Sequence, residues 1–293
     1  MASVKYAWGL VVAVLLSSAA ANAAVTATDD EGKTVVLAKP AARIVSLAPH
    51  ATELLYAAGA GERIVGVLST SDWPPEAKAK PSVGDAHRLD LERIVMLAPD
   101  LVVTWPYSAA AEVATLRARG VPVFITNPTT IAGIAADIER LGALAGTEGA
   151  AAARAREFRA KLGRLGERRG IARKVRMFYE IWNEPLYTIG GKHLISEAIG
   201  MCGGENVFAS LTLPAPEVSV EAVLAARPDA IIAGTDGAVR PAWLDDWKRW
   251  PILPAVTLGN LYTVDANLLH RPGPRFLDGM EGLCAALDDA RRR

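Results

Sequence analysis

An internal repeat constrains the fold of this chain more than any other feature of the sequence. Residues 89–103 match residues 218–232 at a constant offset of 129 residues. Each copy has a helix-capping residue, a glutamate two positions later (Glu92 or Glu221), and a Pro-Asp pair followed by an aliphatic run. Because these three features coincide in both copies, the repeat predicts two lobes of the same construction, related by pseudo-symmetry.

Short apolar runs alternate with helix-like segments in both halves of the chain. Such alternation is typical of parallel sheets covered by helices, because parallel neighbours are joined by crossovers. The sequence therefore predicts an α/β protein with two Rossmann-like lobes. Strands are predicted at 43–49, 64–67, 101–105, 121–126, 175–181 and 230–233, and helices at 50–59, 109–119, 194–202 and 220–226.

The middle of the chain has a different composition. Residues 131–170 are rich in Ala, Arg, Glu and Leu and contain no proline, which predicts long helices at Ile131–Leu144 and Glu148–Arg168. The predicted division is a signal peptide (1–23), an N-terminal segment (24–42), an N-terminal lobe (43–144), a connecting helix (145–170) and a C-terminal lobe (171–293).

The N-terminus has the pattern of a secretory signal peptide. Lys5 precedes an apolar run from Trp8 to Leu16, and Ala21-Asn22-Ala23 forms a cleavage site of small residues. The alternative is an uncleaved membrane anchor, but the apolar run is shorter than the roughly 20 residues that a spanning helix needs. We therefore expect cleavage after Ala23 and an exported, soluble product.

The chain has two cysteines, Cys202 and Cys284. In an oxidising compartment they are expected to form one disulfide. The separation of 82 residues makes this a long loop, worth on the order of 4 kcal/mol in the chain-entropy model. The alternatives are a metal site or a catalytic thiol, but neither cysteine has a C-x-x-C or His-rich context that would support them.

The sequence carries none of the motifs G-x-S-x-G, H-E-x-x-H, G-x-G-x-x-G or G-x-x-x-x-G-K-[ST]. Lys and Arg balance Asp and Glu at 32 each, so no excess of positive charge favours nucleic acid binding. We therefore expect no catalytic residues, no cofactor and no metal. A zinc enzyme stays open as an alternative, because three of four histidines could converge on one ion. The histidines are His50, His87, His193 and His270.

Aromatic side chains follow strands of both predicted lobes. Trp105 ends a strand of the first lobe, two residues before Tyr107, and Trp182 ends a strand of the second. Since ligands of α/β proteins bind beyond the carboxyl ends of the strands, these residues predict an aromatic cleft between the lobes for a large, flat or apolar ligand. The alternative is that they anchor loops or pack in the core. Three further tryptophans share a helical spacing and are expected to pack: Trp243, Trp247 and Trp250.

Five motifs carry a resemblance to a known family. They stand at 43–53, 91–95, 98–102, 202–208 and 218–224. In this combination they resemble the class III periplasmic binding proteins of ABC importers, the helical-backbone metal-receptor type, and most of all the members that bind cobalamin. The resemblance covers about residues 42–287. It implies a monomeric periplasmic protein, not an enzyme, with two lobes joined by a single long α-helix and a Cys202–Cys284 disulfide.

The resemblance also implies partners. It implies that the protein captures a corrinoid such as cobalamin and delivers it to the permease dimer of an ABC importer in the inner membrane. In this family one glutamate on each lobe pairs with arginines of the permease, and Glu92 and Glu221 stand at those positions. Equivalent carboxylates also suit a two-fold symmetric partner. The alternative is that each only complements the dipole of its helix.

Haem or an iron–siderophore remains an alternative ligand within the same class of transporter. Haem would need a Tyr or His axial ligand, and four candidates are present: His50, His87, Tyr107 and Tyr187.

The resemblance and the aromatic pattern together predict the ligand contacts. The chain departs from the cobalamin-binding members at three aromatic positions, now Thr70, Ala86 and Ala215, whereas Trp105 is retained. Trp182 is expected to supply part of the missing aromatic surface. The predicted contacts are His50, Thr70, Trp105, Tyr107, Trp182, Asp265, Ala266, Asn267, Leu268 and Leu269.

Overall fold

The computed structural model describes residues 24–107, 109–166, 173–237 and 239–293. The predicted signal peptide (1–23) and the end of the predicted connecting helix (167–170) lie outside these ranges. Within the described ranges, no helix is both long and apolar enough to cross a membrane.

The N-terminal lobe is built on a parallel sheet. Its strands are β1 (Val25–Thr28), β2 (Thr34–Leu37), β3 (Ile44–Ser46), β4 (Ile64–Val67), β5 (Leu101–Thr104) and β6 (Val123–Ile125), and its helices are α1 (Pro49–Ala57), α2 (Leu91–Met96), α3 (Ala110–Ala118) and α4 (Ile131–Ala145). Strands β3 to β6 form the sheet in the order β4-β3-β5-β6. Strands β1 and β2 form an antiparallel hairpin that the sequence analysis did not predict.

Helix α5 (Glu148–Gly166) leads to the C-terminal lobe. The strands there are β7 (Val175–Glu180), β8 (Trp182–Asn183), β9 (Leu186–Tyr187), β10 (Gly204–Asn206), β11 (Ala230–Thr235) and β12 (Leu261–Asp265). The helices are α6 (Leu194–Met201), α7 (Val220–Ala226), α8 (Pro254–Thr257), α9 (Ala266–Leu269) and α10 (Phe276–Arg292). Strands β7, β10, β11 and β12 form a second parallel sheet in the order β10-β7-β11-β12.

The two sheets have the same topology. In each, the second strand along the chain lies at one edge, beside the first, and the third and fourth follow. In each, the segment of the internal repeat supplies the helix before the third strand, α2 or α7. The α/β fold with two lobes, predicted from the repeat and the alternation, is confirmed.

Alternate residues of the strands pack on opposite faces of each sheet, as the period of a strand requires. Leu101 of β5 and Ile232 of β11 belong to one apolar cluster that runs through both lobes along α1, α4, α5, α6 and α10. Their neighbours Val102 and Ile231 belong to separate clusters, one for each lobe. The lobes are thus two sheets joined through a shared layer of helices.

The three tryptophans that were predicted to pack do so. Trp247 is buried in the outer cluster of the C-terminal lobe, and Trp243 and Trp250 are partly buried against it. The ring of Trp247 meets the rings of Phe178 and Trp250 at centroid distances of 5.6 and 5.3 Å. These three tryptophans are part of the core, so the candidate ligand contacts are other aromatic residues.

Helix α5 begins at Glu148, as predicted, and packs along α4 while also contacting α1 and α10. Arg159 donates to Glu139 of α4 at 2.6 Å, and Lys161 donates to Asp278 of α10 at 2.6 Å. Helix α5 is therefore fastened by side chains to both lobes.

Cys202 and Cys284 form a disulfide, as predicted. The bond joins the residue after α6 to the middle of α10, and both cysteines are fully buried. It closes a loop of 82 residues that contains much of the C-terminal lobe.

Candidate functional site

The carboxyl ends of the N-terminal strands bring three predicted contact residues together. Trp105 directly follows β5, and its ring meets the rings of His50 and Tyr107 edge to face at centroid distances of 5.5 and 4.9 Å. The indole Nε1 donates to Oδ1 of Asn127, which follows β6, at 3.2 Å. Tyr107 exposes 67% of its surface. The site therefore has an anchored indole with an exposed phenol beside it.

His50 lies behind this aromatic surface and is almost fully buried. Burial lowers the pKa of the imidazole to about 4, and the cationic Arg271 adds to this effect against a backbone hydrogen bond with Thr126. The ring is therefore neutral at physiological pH. Its Nε2 has no hydrogen-bond partner among the described residues.

Trp182 is an exposed aromatic residue of the C-terminal lobe. It does not end β7, as the sequence suggested, but begins the small hairpin β8–β9, because the chain turns at Glu184 and Pro185. The indole is 55% exposed, and its Nε1 donates to the carbonyl of Glu184 at 2.9 Å. This hydrogen bond ties the ring to its own hairpin and leaves the rest of it open to a ligand.

Glu180, the last residue of β7, is a buried carboxyl that the sequence analysis did not single out. Trp247 Nε1 donates to its Oε2 at 2.8 Å. Burial raises the pKa of Glu180 to about 7, although the hydrogen bond from Trp247 acts in the opposite direction. This group changes charge near neutral pH.

The predicted last pocket loop forms the short helix α9. The side chain of Asp265 caps it by accepting from Asn267 N at 2.8 Å. Leu269 is 1% exposed and belongs to the core, where it lies against Gly279. Leu269 is therefore too buried to contact a ligand, whereas Ala266 and Leu268 are partly accessible.

Thr70 lies exposed in the loop after β4. The next residue, Ser71, is buried, and its hydroxyl accepts from Thr52 of α1 at 3.0 Å. This bond holds the base of the loop against α1.

Four charged residues join the two lobes, and we call them the cross-lobe ion cluster: Glu53 and Asp72 of the N-terminal lobe, Arg271 and Arg275 of the C-terminal lobe. Arg275 donates to both carboxylate oxygens of Glu53, at 2.9 and 2.6 Å. Arg271 donates to Asp72 at 2.5 Å. Sequence reasoning missed this cluster, because partners separated by about 200 residues leave no local pattern.

Glu92 and Glu221 are the second residues of α2 and α7, and both are exposed. The caps match as well, since Asp90 accepts from Arg93 N at 2.9 Å and Ser219 from Ala222 N at 3.2 Å. Because a crossover helix runs antiparallel to the strand that follows it, each glutamate lies toward the carboxyl edge of its sheet. The predicted docking residues are thus equivalent in the two lobes.

A family model described as periplasmic binding protein matches residues 44–268 of the chain. The chain belongs to the periplasmic binding protein family. The family resemblance drawn from the sequence motifs is confirmed.

Individual relatives agree with this family. The vitamin B12-binding protein of Vibrio parahaemolyticus is 36% identical over 259 residues, covering 87% of this chain and 92% of that protein. The crystal structure of the periplasmic vitamin B12 binding protein of Vibrio cholerae has a TM-score of 0.78 at 35% identity, covering 87% of this chain and 99% of that one. A periplasmic heme-binding protein from Roseiflexus sp. RS-1 has a TM-score of 0.74 at 27% identity, covering 85% and 98%.

The histidines do not gather as a zinc site would require. Among the described residues, no group of three or more His, Cys, Asp or Glu side chains could hold a metal ion. His87 is exposed, whereas His193 accepts from Ile195 N at the start of α6 and His270 lies 3.0 Å from the hydroxyl of Tyr179. His193 and His270 thus have structural partners of their own.

Proposed function

We propose that this protein is the substrate-binding component of an ABC importer and that it captures a corrinoid, cobalamin or a close relative, between its lobes. It acts in the periplasm after removal of residues 1–23. One observation carries the proposal. Exposed aromatic side chains stand at the strand ends of both lobes, in a chain that is 36% identical to a vitamin B12-binding protein over most of its length.

The chemistry of the site suits such a ligand. A corrinoid is a large ring system with apolar faces and an edge that carries amide groups. The exposed surfaces of Trp105, Tyr107 and Trp182 offer aromatic contact to the faces. Thr70 and Asn267 offer a hydroxyl and a carboxamide, which both donate and accept hydrogen bonds, to the edge.

Delivery would use the two equivalent glutamates. Glu92 and Glu221 present exposed carboxylates from matching helices, a pattern that fits a permease with two-fold symmetry and an arginine site on each half. The internal repeat gives the protein two similar halves for two similar subunits.

Haem is the second candidate, since a haem-binding protein of known structure shares the fold. The exposed hydroxyl of Tyr107 could serve as an axial ligand. The Nε2 of His50 is free but buried, so it could coordinate iron only if Trp105 moved. The nearby cations Arg271 and Arg275 are paired with carboxylates, which disfavours an anionic ferric siderophore.

Isothermal titration calorimetry of the purified mature protein with cyanocobalamin, haemin and an anionic ferric siderophore tests the proposal. We expect saturable heat with cyanocobalamin and little with the other two. The visible spectrum of protein purified from its own host gives an independent answer, because corrinoids and haem have different absorption bands. Haemin binding without cyanocobalamin binding would assign the site to haem and leave the fold unchanged.

A further inference from the structure

We infer that the cross-lobe ion cluster positions the ligand site: it sets the spacing of the two lobes and holds the side chain of Asn267 for the ligand. The residues concerned are Glu53, Asp72, Arg271 and Arg275. The first half of this inference concerns the protein alone, and the second half rests on the proposed function.

The centre of the cluster is the pair formed by Glu53 and Arg275. Glu53 lies on α1, one turn after His50, and its side chain is 1% exposed. Arg275 immediately precedes α10 and donates through Nε and Nη2 to the two carboxylate oxygens. A buried carboxylate held by a two-point guanidinium contact permits one geometry, because any separation leaves a desolvated charge without its partner. The pair therefore fixes the distance between α1 and α10.

Arg271 extends the cluster into the ligand site. Its Nη1 donates to Asp72 at 2.5 Å and reaches Glu53 at 3.5 Å, while its Nη2 donates to Oδ1 of Asn267 at 2.8 Å. The other end of the Asn267 carboxamide donates to Asp236 at 2.9 Å. One guanidinium thus links the loop after β4 to α9, and the orientation of Asn267 depends on it.

A stacking contact joins the same two surfaces. The guanidinium of Arg275 lies over the ring of Trp73, 4.6 Å from its centroid. Trp73 follows Asp72 directly and is 43% exposed. The loop after β4, which also carries Thr70, is therefore attached to the C-terminal lobe through both an ion pair and a cation–π contact.

One residue of the cluster, Asp72, is exposed to solvent, so its effect on binding can be tested separately from its effect on folding. The side chain of Asp72 is 50% exposed, and exposed ion pairs contribute little to folding. Helix α5 joins the lobes independently of the cluster. Loss of the Asp72 charge should therefore alter spacing and binding without unfolding the protein.

The test measures the lobe spacing first. Cysteines are placed at the exposed positions Met96 and Ile252, one in each lobe, and carry nitroxide labels. Pulsed electron–electron double resonance then reports the distance between the lobes. Asp72→Asn and Glu53→Gln should broaden the distance distribution. Asp245→Asn removes a comparable exposed carboxylate that pairs within the C-terminal lobe, and it should leave the distribution unchanged. An unaltered distribution in both cluster variants would overturn the inference about spacing.

The second measurement is cyanocobalamin dissociation by stopped flow. Asp72→Asn and Arg271→Gln should each raise the dissociation rate by about tenfold, since affinity changes in related complexes appear mostly in this rate. The double variant should be no worse than Arg271→Gln alone, because the contact of Asp72 with Arg271 is already lost in that single variant. Fully additive effects, or rates equal to wild type, would refute the positioning role. If cyanocobalamin fails to bind the wild-type protein, the proposed function fails, while the distance measurement still decides the spacing.

Discussion

Glu92 and Glu221 occupy the same place in the two lobes, each as the second residue of a capped helix that leads into the third strand of a parallel sheet. Both side chains are exposed. Neither makes an ion pair with another described residue. The structure thus presents two matched, exposed carboxylates without an ion-pair partner among the described residues.

The first prediction concerns these carboxylates. The double variant Glu92→Gln, Glu221→Gln should bind cyanocobalamin as wild type does but should lose transport by on the order of tenfold or more, because a partner's arginines would be left without charged partners. Uptake into vesicles that contain the importer measures this. The control Glu76→Gln, Glu205→Gln removes one exposed carboxylate from each lobe and should transport normally. Normal transport by the first double variant would refute docking through these residues.

The second prediction concerns the aromatic surface. Trp105→Ala should weaken cyanocobalamin binding by about 10- to 100-fold, because burial of a large aromatic side chain is worth roughly 1.5–3 kcal/mol. Calorimetry measures the affinity. Ile252→Ala serves as the control and should bind normally. Ile252 is exposed and lies near the amino-terminal edge of the C-terminal sheet, where Ala255 N of α8 donates to the carbonyl of Pro228. Equal affinities for the two variants would place the ligand elsewhere.

The sequence predicted the sheets and the pseudo-symmetry because the information is local. The strand at 101–105, for example, is a β-branched run closed by a tryptophan and a proline, and the structure has β5 at Leu101–Thr104. The hairpin β1–β2 was missed because its sequence signal is weak: Val25–Thr28 alternates apolar and polar residues, but Thr34–Leu37 has three consecutive apolar residues and alternates only in burial.

The site was only partly predictable. Trp105 and Tyr107 were placed together by their position after one strand, but the burial of Leu269 depends on α9 packing against Gly279, a contact between separate helices. The pairing of Glu53 with Arg275 spans 222 residues and is set by how the lobes meet. Such features depend on tertiary packing. Hydrophobic periodicity and capping patterns describe only local structure and do not predict them.

The third prediction concerns the disulfide. The double variant Cys202→Ala, Cys284→Ala should lower the free energy of unfolding by about 2–5 kcal/mol, because the unfolded chain regains the freedom of an 82-residue loop. Denaturant titration followed by circular dichroism measures it. Wild-type protein treated with a thiol reductant should approach the stability of the variant. A loss below about 1 kcal/mol would contradict the loop-entropy argument.

The fourth prediction concerns pH. In the folded protein the pKa of Glu180 is raised to about 7 from an ordinary value of 4.5, so the neutral carboxyl is favoured. Its contribution to stability is therefore complete below pH 4.5 and is lost as the pH rises through 7. Glu180→Gln, which stays neutral and keeps an acceptor for Trp247, should match wild type at pH 5 and exceed its stability by about 1–3 kcal/mol at pH 8.5.

Urea titrations at both pH values check this prediction. Glu205→Gln, at an exposed position of β10, serves as the control and should show no such difference between pH 5 and pH 8.5. A Glu180→Gln variant that is less stable than wild type at pH 8.5 would mean that the carboxylate is better solvated than its burial indicates.

Helix α5 contacts α4, α1 and α10. Its Arg159 bonds to Glu139 of α4, and its Lys161 bonds to Asp278 of α10. A change in the spacing of the lobes would have to slide this helix against several others at once. With the cross-lobe ion cluster also intact, the two lobes should keep one spacing and should not adapt to ligands of different size. The protein should therefore discriminate by fit: it should bind molecules that match its fixed lobe spacing and reject smaller relatives that would contact only one lobe.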